Sequence, residues 1–307
     1  MSCIKIFSGL KMKQIVLLSG KGGTGKTVMT GALAALVDNK LLVDCDVDAA
    51  DLHLLLEPGI IERHEFRSGH KARIDSGVCV RCARCLEVCR FNAITKDLLV
   101  DPGACEGCGL CARLCPVRAI RMEENVCGEW FVSRTRFGTM VHACLGAGEE
   151  NSGKLVARIR QRGKELAIAE KRDWVIVDGP PGIGCPVMAS LSGVDAVLLV
   201  SEPTCSGLHD AARVIELGKQ FRIPVLLAVN KWDINPSVTE TIERYCLDNG
   251  VVIAGRVPFD RSVVDCVVSG KTVMEGGAGV IKTAVANVWK NLSRFVTGSS
   301  ERNKEAV

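Results

Sequence analysis

No apolar run in this chain approaches the ~18 residues needed to span a bilayer. The N-terminal stretch MSCIKIFSGLKMKQIVLL carries no signal-peptide cleavage site. Net charge is only +4, too mild to argue for a nucleic-acid partner. These absences predict a cytoplasmic protein with neither nucleic acid nor membrane among its partners. Hydrophobic residues make up 47% of the 307 against 24% charged, which fits a globular chain of one large or two domains. Met12-Lys13 lies just before the first strand-like run, so residues 1–11 read as a dispensable extension or a misplaced start. What the chain has in excess is cysteine, 16 residues. In a reducing compartment these are read as metal ligands before disulfides.

Residues Gly20 to Thr27 read GKGGTGKT, after the apolar run Gln14 to Leu18 and before a helix-like stretch from Val28 to Val37. Strand, glycine-rich turn and helix form the context in which GxxxxGK[ST] denotes a phosphate-binding loop. Gly20, Gly22, Gly23 and Gly25, with Thr24 between them, let successive N–H groups turn inward toward phosphate oxygens. Lys26 then reaches the β- and γ-phosphates and the Thr27 hydroxyl ligates Mg²⁺. Lys21 is not required by the basic motif.

A second buried strand, Leu41 to Asp44, ends in Asp44-Cys45-Asp46-Val47-Asp48-Ala49-Ala50-Asp51. Parallel strands deliver their last residues to one sheet edge, which places Asp46 to orient the attacking water. Asp48 and Asp51 either lie near Mg²⁺ or cap the next helix. Cys45 alternates away from both acids, into the core. A third strand, Trp174 to Asp178, has the Walker B arrangement with Asp178 at Mg²⁺, and the Pro180-Pro181-Gly182 turn brings the Gly182 N–H toward the γ-phosphate. Cys185 opens the following helix and reads as packing, as does His142 near Cys144. Ser152 reads as the N-cap of a long helix through about Lys171. Strands Glu129–Thr135 and Gly138–Ala143 precede it.

Further αβ units end in Asn230-Lys231-Trp232-Asp233, where an amide suits a purine edge; the literal NKxD favours GTP when taken alone. Pro258 follows the next strand beside the base. The final helix carries a stripe of Ile281, Ala284, Val285, Val288, Leu292 and Phe295, expected to cap the sheet.

Eight cysteines fall between Cys79 and Cys115 as two copies of one spacing, Cys79-x-x-Cys82-x-x-Cys85-x-x-x-Cys89 and Cys105-x-x-Cys108-x-x-Cys111-x-x-x-Cys115-Pro116. Three thiolates two residues apart wrap one corner of an iron–sulfur cubane, and the fourth is directed to the other cluster. The spacing therefore predicts one [4Fe–4S] cluster on Cys79, Cys82, Cys85 and Cys115 and another on Cys105, Cys108, Cys111 and Cys89. Arg90 stands where the first copy would carry proline. Arg81, Arg84, Arg90, Arg113 and Arg118 lie near the ligands; they either offset cluster charge and dock an acidic partner, or are solvated surface residues.

In this order, the KGGTGKT loop, the Asp-Cys-Asp strand end, the DGPPG turn and the doubled cysteine motif resemble the MinD/Mrp superfamily of deviant P-loop ATPases. The likeness is to the subgroup with an inserted ferredoxin domain, and GEENSGKLV and DGPPGIGCPV are similar to its typical stretches. The resemblance covers residues 12–295. It implies an α/β fold with a mostly parallel P-loop NTPase sheet flanked by helices, carrying a small α+β two-[4Fe–4S] insert. The implied divisions are 12–68 and 126–296 for the ATPase, 69–125 for the insert and 297–307 for a disordered tail. It also implies that Lys21 crosses a nucleotide-sandwich dimer, formed with a second copy or a paralogue, to reach the partner's phosphates. By the same likeness Asp46 and Asp178 serve as the acids of two switches. Asn230 would contact adenine, so ATP is expected rather than GTP.

Relatives with this arrangement are associated with small proteins resembling the nitrogenase-cofactor-binding family, including orange proteins. Mrp-type cluster carriers use a C-terminal CxxC pair, and none follows Cys115 here. The leading expectation is thus an Mg-dependent ATPase that couples dimer switching to electron transfer toward a metal-cofactor protein. The alternatives are a cluster assembly or delivery factor and a MinD-like positional protein.

Overall fold

The computed structural model describes residues 12–146, 148–149 and 152–302. The extension suggested for residues 1–11 lies outside them. The chain opens with β1 (Lys13–Leu18), α1 (Lys26–Leu36), β2 (Lys40–Asp44), a short α2 (Leu52–Leu56) and β3 (Gly59–Ile74). Two short helices, α3 (Arg84–Val88) and α4 (Leu110–Leu114), precede β4 (Ile120–Thr135) and β5 (Gly138–Leu145). Regular alternation follows: α5 (Ser152–Ala169), β6 (Trp174–Asp178), α6 (Cys185–Ser190), β7 (Ala196–Ser201), α7 (Cys205–Phe221) and β8 (Val225–Asn230). The chain continues through α8 (Pro236–Asp248), β9 (Val252–Val257), α9 (Arg261–Val268), α10 (Val273–Gly276) and α11 (Gly279–Arg302).

Among the described residues the strands form one sheet in the order β3-β4-β5-β2-β6-β1-β7-β8-β9. The central strands read as continuous runs of Val, Ile and Leu because helices cover both faces of a parallel sheet. Every residue of β2 and β7 is buried. Parallel register aligns Leu17 with Asp178 across β1 and β6, and Asp44 with Asp178 across β2 and β6. The carboxyl ends of three strands thus converge where the strand order reverses, the place at which open α/β sheets bind ligands. Helix α5 packs on β2, and Gly163 is needed there: a Cβ would stand 2.6 Å from Val43 Cγ2.

The chain divides into two compact units. The larger holds the chain through Arg63, Phe131–Cys144 and the chain from Ser152 onward; the smaller holds His64–Trp130 with Leu145–Asn151. The larger unit's core joins α1, the sheet and the α11 stripe of Ile281, Val285, Val288 and Leu292. The smaller unit's core is slight, with Ala93, Ile94, Leu98 and Ile120 packed beside Cys85 and Cys105.

Three expectations need correction. Strand β4 begins at Ile120 rather than Glu129, and the long β3 has no counterpart in the sequence reading. Most β3 side chains are exposed, so neither strand carries a clean hydrophobic period. The end of the chain is helical to Arg302 rather than disordered from residue 297, because Val296 is buried and the Thr297 hydroxyl bonds back to the Ser293 carbonyl at 2.8 Å. Residues 303–307 lie outside the described ones. Ser152 is the first residue of α5 rather than its cap.

Candidate functional site

The phosphate-type loop joins β1 to α1. Gly25 has φ 90° and its amide neighbour leaves no room for a side chain: a Cβ there would run into the Asn230 amide. Asn230 Nδ2 donates to the Thr24 carbonyl at 2.8 Å and Lys231 Nζ to the Gly23 carbonyl at 3.3 Å. The Asn-Lys pair therefore ties the end of β8 to the loop itself. Asp233 accepts from the Phe259 N–H at 2.7 Å, which fixes the segment carrying Pro258.

At the helix end of the loop, the Lys26 ammonium lies 2.9 Å from Asp178 Oδ1 and 3.8 Å from Asp46 Oδ2. Thr27 Oγ1 donates to Asp178 Oδ2 at 2.8 Å and Thr30 Oγ1 to Asp178 Oδ1 at 2.7 Å. Burial alone would depress the Lys26 ammonium, but Asp178, with Asp46 and Asp44 nearby, outweighs it and raises its pKa. Asp44 is fully buried; burial and the adjacent Asp178 charge hold its carboxyl well above the usual range. Asp46 is less enclosed, and burial, opposed by Lys26 but reinforced by Asp178, pushes it up to about 6. Two buried oxygens here, Thr24 Oγ1 and Asp44 Oδ2, have no hydrogen-bond partner among the described residues.

Lys21 bends back within its own chain, 2.6 Å from Glu202 Oε1 and 2.9 Å from Ser206 Oγ. Burial would raise Glu202, but Lys21 and then Lys231 hold it below the ordinary range. The Gly182 N–H, expected to face the γ-phosphate, instead donates to the Ser19 carbonyl at 3.0 Å. With φ 85° at Gly182, the turn folds over the residue just past β1, whose carbonyl accepts this hydrogen bond. Asp51 occupies the N-cap of α2 without a side-chain cap bond. Cys45 is buried and Cys185 exposed. His142 is buried, bonded to Ser133 Oγ at 2.9 Å and stacked on Phe131, and burial pushes it down to about 4.

In the smaller unit the two cysteine runs are one backbone design used twice. Asp75 accepts from Gly77 N–H at 2.9 Å, as Asp101 does from Gly103 N–H at 2.8 Å. Left-handed residues fall at Arg81 and Ala83 in one copy and at Gly107 and Gly109 in the other. Asn92 and Arg118, each three residues past the fourth cysteine, both have φ 53°. A cavity partly open to solvent is lined by Cys79, Cys82, Cys85 and Cys115. Another, similarly open, is lined by Cys89, Cys105, Cys108 and Cys111. None of the eight is in a disulfide. Backbone N–H groups of Arg81, Ala119 and Ala72 donate to the sulfurs of Cys79, Cys115 and Cys105 at 3.4, 3.2 and 3.5 Å. Among the described residues no three His, Cys, Asp or Glu side chains converge closely enough to hold a single metal ion.

The profile of the CobQ/CobB/MinD/ParA nucleotide binding domain matches residues 15–273. The chain belongs to this family. Its relatives include an uncharacterised protein of Methanocaldococcus jannaschii, 32% identical over 297 residues that cover 94% of this chain and 99% of that one. The septum site-determining protein MinD of Synechocystis is 24% identical, over 91% of this chain and 88% of its own. The structure of MinD complexed with Mg-ADP from Pyrococcus horikoshii aligns over 93% of this chain and 97% of that one, with TM-score 0.56 and 17% identity. That likeness shows the fold.

In this CobQ/CobB/MinD/ParA-type nucleotide binding domain, four polar residues at the site were given no role from the sequence: Asp44, Thr30, Glu202 and Lys231. Asp44 had a visible signal, since it ends its strand as Asp178 does. Thr30 lies one turn beyond Thr27 on α1, a spacing that shares a helix face. Lys231 was visible as the lysine of the NKxD stretch, and Glu202 had no signal, because only strand order brings the end of β7 against the loop. The repeated Asp-x-Gly before each first cysteine was equally legible and was also passed over.

Proposed function

We propose that this protein is an ATP-driven iron–sulfur switch, in which nucleotide binding and hydrolysis in the larger unit govern electron transfer from the smaller one to a metal-cofactor partner protein. One observation carries the iron–sulfur half: two cavities of similar size, each lined by the four cysteines that the interleaved spacing assigns to one [4Fe–4S] cluster. A cubane is wider than an ion, so its thiolates need not converge as single-ion ligands do. The N–H donors at three of the sulfurs suit thiolates, whose charge they offset. Bound there, the clusters would supply reversible one-electron storage. The smaller unit would then be a bacterial-type ferredoxin insert.

For the nucleotide, Gly20 to Thr27 would cradle the phosphates and Lys26 would transfer its charge from Asp178 toward them. Thr27 and Asp178 would hold Mg²⁺, and the two orphaned oxygens of Thr24 and Asp44 fit the presence of a further polar ligand. Asp46 is a carboxylate poised near neutrality and suits the orientation of an attacking water. Asp233 already serves the Phe259 N–H, which favours ATP over the guanine that the NKxD spelling suggests. Lys21 would exchange Glu202 for the phosphates of a dimer partner.

The test is anaerobic reconstitution followed by rapid mixing. We expect about eight irons and eight sulfides per chain, and oxidation of the reduced protein by its acceptor that is faster with ATP than with ADP or no nucleotide. Equal rates in all three conditions would remove the coupling, and absence of bound iron would remove the redox role.

A further inference from the structure

We infer that the Cys82 end of the smaller unit is the docking face for an acidic electron-transfer partner and that the Cys108 end is not. This rests on the iron–sulfur reading above and concerns which of the two ends communicates with another protein. The internal repeat supplies its own control, because each residue around one cavity has a counterpart around the other.

At the first cavity the positions compared are Val80, Arg81, Arg84, Val117 and Arg118: Val80, Arg84 and Val117 line it, and Arg81 and Arg118 each fall between two lining residues in the chain. Their counterparts at the second are Glu106, Gly107, Leu110, Phe91 and Asn92. Of these five positions, three are arginine and none is acidic in the first copy; beyond them, the paired helices carry Glu87 on α3 and Arg113 on α4. In the second copy one of the five, Glu106, is acidic and none is basic, while Arg90 lies 5.0 Å over the Phe91 ring. Arg81, Arg84 and Arg118 are exposed, and none forms an ion pair among the described residues. Other exposed arginines of the same unit do: Arg67 with Glu65 at 2.6 Å and Arg73 with Glu123 at 3.4 Å. Arg81 also holds a left-handed backbone position that its counterpart fills with glycine.

Val80 and Val117, 60% and 36% exposed, complete an apolar collar beside the exposed Cys82. Unpaired cations around a small apolar patch suit the brief, electrostatically steered encounters of electron-transfer partners, whose surfaces carry the opposite sign. In the transfer one electron leaves a reduced cluster and enters the acceptor; no bond to the protein forms or breaks.

Charge reversal tests it on the reconstituted full chain. Arg81→Glu, Arg84→Glu and Arg118→Glu are combined and compared with Arg67→Glu/Arg73→Glu. Two probes are read: binding of a fluorescent oligo-aspartate peptide by anisotropy, and stopped-flow oxidation of the reduced protein. The oxidants are anionic ferricyanide, reduced to ferrocyanide by one electron, and cationic hexaammineruthenium(III). The triple variant is expected to weaken peptide binding and slow ferricyanide about tenfold at low salt while speeding the cation, with the differences collapsing at high salt. Equal effects from the paired-arginine control, or peptide binding and rates that do not move while about eight irons remain, would overturn the docking face alone. A wild-type chain that binds no iron would overturn the cluster reading and this proposal with it.

Discussion

The phosphate loop and the cysteine cavities solve the burial of charge in opposite ways. Around the loop, the protein supplies both signs: the Lys26 ammonium and the Asp178 carboxylate are almost fully buried and neutralise each other, with Thr27 and Thr30 as further donors to Asp178. A large core made by helices on both sheet faces holds them in place. The smaller unit has no such core. Its buried apolar residues are few and two of them are ligand-type cysteines. A unit of that size buries too little surface to be stable without a staple, and metal binding is folding energy in such units. The loop is therefore preformed by the polypeptide, whereas under the proposed iron–sulfur reading the cavities would depend on bound clusters for their stability.

The sharpest way to break this contrast is Lys26→Ala. It leaves the buried carboxylates unpaired, so we expect ATP hydrolysis to fall at least ~10²-fold and the larger unit to lose about 3 kcal/mol in denaturant unfolding. Iron content should remain unchanged. The reverse experiment is Cys105→Ser. It should halve the iron from about eight to about four per chain and raise amide exchange across residues 64–130 while β1 and β6 keep their protection. Nucleotide binding that fell along with the iron would mean the two regions are not independently built.

A milder probe is Asn230→Ala, which removes the bond to the Thr24 carbonyl. One hydrogen bond of this kind is worth about 1 kcal/mol, so ATP affinity measured by calorimetry should drop about fivefold without a change in iron. The smallest effect concerns Asp46. Its folded pKa is raised to about 6, so the folded state holds a proton that the unfolded state has already released between about pH 4 and 6. Stability contributed by this group is thus present at low pH and lost as pH rises toward 6. Asp46→Asn should raise apo stability at pH 7 by about 1 kcal/mol, after allowance for solvent screening, and flatten that part of the pH profile.

Much of the larger unit was legible because parallel strands buried on both faces advertise themselves as apolar runs, as β1, β2, β6 and β7 do. The loop and Asp178 were legible because their spacing is local. Strand β3 was not, since exposed side chains over most of its length erase the period on which such readings depend. The role of Asn230 was only half visible. Its type suits a base edge, yet its amide serves the Thr24 carbonyl, a contact between residues more than two hundred positions apart.

By itself the sequence determined the phosphate loop's chemistry and the order in which eight thiols follow one another, because both depend on neighbours a few residues away. Only the tertiary structure decided what those groups meet. It aligned Asp44 with Asp178 through strand register, brought Glu202 to Lys21, and gathered around two cavities the two sets of thiols that the spacing had assigned. Each of these requires the chain to close long loops and pack, and no local pattern encodes which distant partner will be waiting.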